Sequence, residues 1–160
     1  MIGITIKALE DTLKLINFKK YKEAIELICN ANIIDVYGVG NFGSIASDIM
    51  NKLIRIGLNC RLYPDNHVQQ IYASHLTDKN VLIVISYSGN TIDRVNVLKI
   101  AKESGAKTIA LTNFRAAAIS KYADITFYTG DIETTFYSEQ MASRITISDC
   151  RYALYGNIIK

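Results

Sequence analysis

The sequence predicts an α/β fold, a three-layer doubly wound parallel sheet, and three observations carry that prediction. β-rich segments alternate with helical ones along nearly the whole chain, the pattern of repeated βαβ units. One segment, Val81-Leu82-Ile83-Val84-Ile85, is apolar at every position, as expected of a central parallel strand covered on both faces. The stretches between strands have the length of crossover helices, and right-handed crossovers place helices on both faces of the sheet. The size agrees. A chain of 160 residues, 49% hydrophobic and 21% charged, makes one domain with its own core rather than a disordered polymer.

The elements follow in order. Residues 5–16 read as a first helix. Residues 18–30 read as a second, with Phe18, Tyr21, Ile25 and Ile28 on one face. Ile33 to Tyr37 is a strand that runs into Gly38. Residues 42–56 return to helical spacing through Ile45, Ile49, Leu53 and Ile56, and Gly57 ends that helix. Leu58 to Tyr63 reads as a second strand, and 66–77 as a short helix. After the apolar strand, 91–104 is a helix with Ile92, Val95 and Leu98 inward, closed by Gly105. Lys107 to Leu111 is a strand, 116–122 a helix, Ile125 to Tyr128 a strand, and 136–155 a closing helix. The chain thus divides into N-terminal helices (1–31), a core of sheet and helices (32–130) and a C-terminal helix (131–160), all one domain.

Composition excludes several function classes. The net charge is +3, from 18 basic and 15 acidic residues, too mild for a nucleic-acid binder. Lys19, Lys20 and Lys22 read as a solvated helix face. Cys29, Cys60 and Cys150 are odd in number and far apart, which disfavours a disulfide framework and offers no metal-ligand spacing. The N-terminus has no secretory pattern, and no apolar run is long enough to span a bilayer. The expectations are a cytoplasmic protein with no membrane contact, no metal and no cofactor.

Ligands of such sheets bind at the carboxyl ends of the strands, near the reversal of strand order. Two loops there stand out. Gly38-Val39-Gly40-Asn41-Phe42-Gly43-Ser44 joins a strand to a helix. Its glycines permit close approach to the backbone, and the helix N-terminus favours an anion. It also matches G-x-G-x-x-G, the dinucleotide fingerprint; a tight turn with no ligand would give the same letters. The second loop, Ser86-Tyr87-Ser88-Gly89-Asn90-Thr91, follows the apolar strand. Hydroxyls, an amide and backbone N–H groups can surround a phosphate without any lysine, each hydrogen bond to the charged group contributing about 1.5–3 kcal/mol. Simple N-capping by Thr91 or Asn90 is the bland alternative. Capping needs only one such residue, and the density here favours an anion site.

This second loop looks like the S-x-S-G-x-T signature of the SIS (sugar isomerase) domain, and the resemblance runs over nearly the whole chain. Within that group the sequence most resembles the sensor half of RpiR-type transcriptional regulators. The stretches that carry the likeness are Lys52 to Leu58, Asp65-Asn66-His67, Ile85 to Thr91, Ala101 to Ala106 and Ala142-Ser143-Arg144-Ile145. The resemblance implies a flavodoxin-like sheet of five parallel strands in the order 2-1-3-4-5. It also implies a sugar phosphate as ligand, with Ser86, Ser88 and Thr91 holding the phosphate. His67 matches a position that can face the sugar, though a surface histidine is an equal reading. Gly40, Asn41, Ser44, Gly89 and Asn90 complete the expected ligand set. A homodimer or higher homo-oligomer is implied too, with the helices at 5–30 and 136–155 as candidate interfaces. The chain departs from the family twice. Where the first loop commonly carries a phosphate-binding serine, this sequence has Phe42, and Asn41 or Ser44 would have to substitute. Where a Ser-Pro pair commonly starts a helix, it has Ala117-Ala118, which removes a cap.

The leading expectation is therefore a phosphosugar-binding sensor domain. A regulator of this type joins it to a helix-turn-helix head, and DNA would be reached only through that missing N-terminal domain. The alternative is a ketose–aldose sugar-phosphate isomerase, which needs a general base. Glu139, Asp65 and His67 are the candidates, although a single glutamate at such a place is more often a helix N-terminal charge, and Arg144 reads either as an ion-pair partner or as a ligand contact. A dinucleotide-binding domain is weaker, because Arg61 stands near the place where that fingerprint expects an acidic residue.

Overall fold

The computed structural model describes residues 2–38, 42–113 and 115–130. The expected closing helix, Glu139 and Arg144 lie outside the described residues, as do Gly40 and Asn41. Two helices open the chain, α1 (Ile2–Leu15) and α2 (Phe18–Asn30). Asn17 caps α2, its side-chain oxygen accepting from the Lys19 and Lys20 amides. Then come β1 (Ile33–Tyr37), α3 (Gly43–Arg55), β2 (Cys60–Arg61), α4 (Asn66–Ala73), β3 (Asn80–Ile85), α5 (Ile92–Glu103) and β4 (Lys107–Thr112). A 3-10 helix (Ala118–Lys121) and β5 (Ile125–Tyr128) complete the described part.

The strands form one five-stranded sheet in the order β2-β1-β3-β4-β5. All four pairings are parallel. This is the expected doubly wound sheet, and its apolar strand β3 lies at the centre, buried at all six positions. Its side chains alternate between two cores. Val81, Ile83 and Ile85 meet Ala24 and Ile28 of α2 and Ile45, Ile49 and Leu53 of α3. Leu82 and Val84 meet Ala73 of α4, Val97 and Leu98 of α5, and Ile119 of the 3-10 helix. Each fully buried Leu, Ile or Val contributes roughly 1.5–3 kcal/mol, so helices on both faces are what the sequence pattern of β3 requires.

Ile92, expected to face inward, is 75% exposed at the start of α5, where Arg94 and Val97 are buried instead. Three elements also differ from the sequence reading in extent or type. The second strand is two residues, Cys60–Arg61, not the six of Leu58 to Tyr63. It lies at the sheet edge, with one neighbour strand, and the chain turns off towards Asp65, which caps α4 by accepting from the Val68 amide at 2.9 Å. The helix expected over 66–77 ends at Ala73. The segment expected as a helix over 116–122 is a single 3-10 turn.

The edge strand is fastened by a buried ion pair. Asp35 of β1 is fully buried. Its carboxylate accepts from Arg61 Nε at 2.7 Å, from Arg61 Nη2 at 3.0 Å and from the Tyr37 hydroxyl at 3.0 Å. A buried carboxylate needs such partners, since removing one commonly costs about 3–5 kcal/mol. Burial and the neighbouring carboxylate push the Tyr37 hydroxyl's pKa up. Burial, then Asp35, pushes the Cys60 thiol up to about 12, so it is protonated and unreactive at neutral pH.

Candidate functional site

Strand order reverses between β1 and β3: β1 leads outward to β2, and β3 leads to β4 on the other side. The loops that follow β1 and β3 therefore flank the crevice where doubly wound sheets take ligands. The first loop starts at Gly38. A Cβ there would come within 2.5 Å of the Phe42 carbonyl oxygen, so only glycine allows the loop to fold back this closely. Phe42 stands at the N-cap position of α3 and makes no side-chain cap.

The second loop is built largely by its own hydroxyls. Ser86 is buried, and its Oγ accepts from the Gly89 amide at 3.1 Å. Ser88 Oγ accepts from the Asn90 amide at 3.3 Å. Gly89 adopts φ +61°, and a Cβ on it would lie 2.5 Å from the Ala117 methyl. The loop is also knitted to the end of β4. Ser86 N–H donates to the Leu111 carbonyl and Asn113 N–H to the Tyr87 carbonyl, both at 3.0 Å. The Thr112 hydroxyl donates to the same Tyr87 carbonyl at 2.9 Å, and Ile119 N–H to the Gly89 carbonyl at 3.0 Å.

Side-chain capping of α5 does not account for the two residues that follow. Thr91 occupies the N-cap position of α5, yet its side chain makes no capping bond. Asn90 turns the other way. Its Oδ1 accepts from the Ala118 amide at 2.8 Å and so caps the 3-10 helix where the Ser-Pro pair is absent.

A cavity of about 250 Å³ opens beside this loop. Phe42 lines it from the N-terminus of α3, and Ser86, Tyr87, Ser88 and Thr91 line it from the second loop. Asn66 and Arg94 line it from α4 and α5. Of the expected ligand residues, Ser86, Ser88 and Thr91 thus border one cavity. Gly89 shapes its loop, and Asn90 supports it from the 3-10 side. Ser44 is exposed in the first turn of α3, and His67 is exposed in the first turn of α4. Neither lines the cavity.

Arg94 is the residue that sequence reasoning missed. It is only 4% exposed. Its Nη1 donates to Gln69 Oε1 and its Nη2 to Asn66 Oδ1, each at 2.5 Å. Asn66 Nδ2 in turn donates to Asp93 Oδ2 at 3.0 Å. Burial pulls the guanidinium's pKa down, and Asp93 acts against that shift; an arginine remains a cation at neutral pH. Nothing local marks it, because an arginine on a helix usually faces water.

A family model for the SIS domain matches residues 27–147. The chain belongs to the SIS domain family. This SIS domain is 38% identical over 162 residues to an uncharacterised HTH-type transcriptional regulator of Caldanaerobacter subterraneus, covering 96% of this chain and 57% of that protein. It is 30% identical to the HTH-type transcriptional regulator RpiR of Escherichia coli, covering 91% of this chain and 49% of the relative. The chain spans about half the length of these curated relatives. Among solved structures it is similar to the Vibrio vulnificus NanR protein complexed with ManNAc-6P, with a TM-score of 0.92 at 22% identity over 99% of this chain and 60% of that one. That likeness shows the SIS fold. Among the described residues, no helix is long and apolar enough to cross a membrane, and no three His, Cys, Asp or Glu side chains gather as a metal would need. At the end of β2, where a dinucleotide site expects a free acidic residue, Arg61 stands instead, held by Asp35.

Proposed function

We propose that this SIS domain is the phosphosugar-sensing part of an RpiR-type transcriptional regulator. One observation carries the reading. The loop Ser86–Thr91, at the carboxyl end of the central strand, gathers hydroxyls and a helix N-terminus on the wall of a cavity, and the Thr91 hydroxyl makes no capping bond. Relatives that are HTH-type regulators support the regulatory half, with DNA contacted by a head in the part of those relatives that this chain does not span. The ligand set proposed is Ser86, Ser88 and Thr91, held in shape by Gly89 and Asn90. Gly40, Asn41, Ser44 and His67 stand as further candidates. The proposed regulator works in the cytoplasm as a homodimer or higher homo-oligomer, without a cofactor.

A thermal-shift screen tests it. Pentose and hexose phosphates, ManNAc-6P among them, are compared with the same sugars unphosphorylated. A ligand at a hundredfold excess over its Kd stabilises the folded state by about 2.7 kcal/mol, a shift of several degrees for a chain of this length. Phe42→Ser, which adds a hydroxyl to the cavity lining, enlarges the shift. No response to any phosphosugar, in either form, sinks the reading. Turnover of a sugar phosphate that disappears in Glu139→Gln would replace the sensor by an isomerase.

A further inference from the structure

A buried cation is costly unless an anion or a full set of dipoles compensates it. Arg94 has only amide oxygens against its guanidinium, those of Gln69 and Asn66. No carboxylate pairs with it among the described residues. Asp93 is adjacent in sequence, but its carboxylate is engaged by the Asn66 amide. Yet the orientation of the guanidinium is fixed from behind. Gln69 is fully buried, and its Nε2 donates to the Tyr63 carbonyl, which leaves Oε1 to face Arg94. A guanidinium so held offers its donors in a rigid fork.

The cavity gives this charge a purpose. Arg94 is the one charged side chain among the described residues that line it. The Ser86–Thr91 loop presents hydroxyls and a helix end, which carry no full charge, and Asp93 in the first turn of α5 opposes the dipole there. A phosphate monoester is close to a dianion at neutral pH, so this pocket without Arg94 would face it with dipoles alone.

We propose that Arg94 is the charge-bearing ligand residue of this cavity, countering the phosphate of the bound sugar, with Gln69 and Asn66 as positioning residues. The assignment rests on the phosphosugar reading and names the group that selects an anionic ligand over a neutral sugar. It makes the pocket an electrostatic site rather than a hydroxyl cradle alone.

The test is affinity for inorganic phosphate, by ³¹P NMR titration, and for ManNAc-6P, by calorimetry. Arg94→Met removes the charge and keeps the apolar stem. It should weaken both probes roughly 10–100-fold, the worth of a charge-assisted hydrogen bond. Because that variant can also loosen the contact between α4 and α5, a second one keeps the charge and loses the fork. Arg94→Lys retains a cation at this position without the planar guanidinium that bonds Gln69 and Asn66 together. It should bind both probes to within a few-fold of the wild type. An arginine that only ties the two helices together would lose binding in Arg94→Lys and Arg94→Met alike, in step with a fall in melting temperature. Wild-type binding that survives a folded Arg94→Met, or that is lost equally in Arg94→Lys, overturns the assignment and leaves the phosphosugar reading standing. A wild type that binds neither probe overturns both.

Discussion

Thr91 stands where a helix wants a cap and provides none from its side chain. Losing a working Thr cap costs about 1 kcal/mol. Thr91→Val keeps the shape and removes only the hydroxyl, so the expected melting temperature is that of the wild type while phosphosugar affinity falls about tenfold, the worth of one hydrogen bond to a charged group. A matched drop in melting temperature without ligand would return Thr91 to a capping role. Ser86, Ser88 and Thr91 were legible because six consecutive residues carry the whole signal. Arg94 was not. Its burial depends on Gln69 and Asn66, 25 and 28 residues away, and no local pattern encodes a contact between two helices. The role of Asn90 was hidden the same way, since its partner Ala118 is 28 residues on.

At the scale of elements, periodicity served well where burial is two-sided and poorly at the margins. β3 is apolar throughout because helices cover both faces. Leu58 to Tyr63 has a strand's composition, but only Cys60 and Arg61 pair with β1. Leu58 and Leu62 pack on the core from outside the ladder, so composition there reports burial rather than pairing. The first two helices carry a different message. Ile6 and Leu13, seven residues apart on α1, are 51% and 67% exposed, and Phe18 at the start of α2 is 77% exposed. Large apolar side chains exposed on α1 and at the start of α2 are a candidate docking face for the homodimer proposed above. Analytical ultracentrifugation should find a dimer at micromolar concentration and a monomer for Leu13→Glu combined with Phe18→Glu. A monomeric wild type would remove this interface.

Across the whole molecule, stability should depend on pH through Asp124. This carboxylate joins α5, β4 and β5. It accepts from the Thr108 amide at 2.8 Å and the Thr108 hydroxyl at 2.9 Å, and lies 3.2 Å from Lys102 Nζ. Burial alone would raise its pKa, but the Thr108 hydrogen bonds and the Lys102 ammonium together outweigh burial and lower it. A lowered folded-state pKa gives stability that is present above the unfolded value, about 4, and is lost as pH falls through the folded one. The melting-temperature gap between wild type and Asp124→Asn should therefore be widest near neutrality and close below about pH 4. A gap that stays constant with pH would assign Asp124 a purely steric role.

The bonds that carry the β4 ladder on into Tyr87, and the bond from the 3-10 helix to Gly89, bear on how a ligand in the proposed site would be felt. A loop already held by its neighbours loses little conformational freedom when it closes its hydroxyls on an anion, so the entropy of ordering takes little from affinity. Such a loop cannot signal by folding, because it is folded beforehand. In the proposed sensor, occupancy would be reported by a displacement of the rigid bodies around the loop, and α5, which starts at this loop and carries Arg94, is the body in direct line.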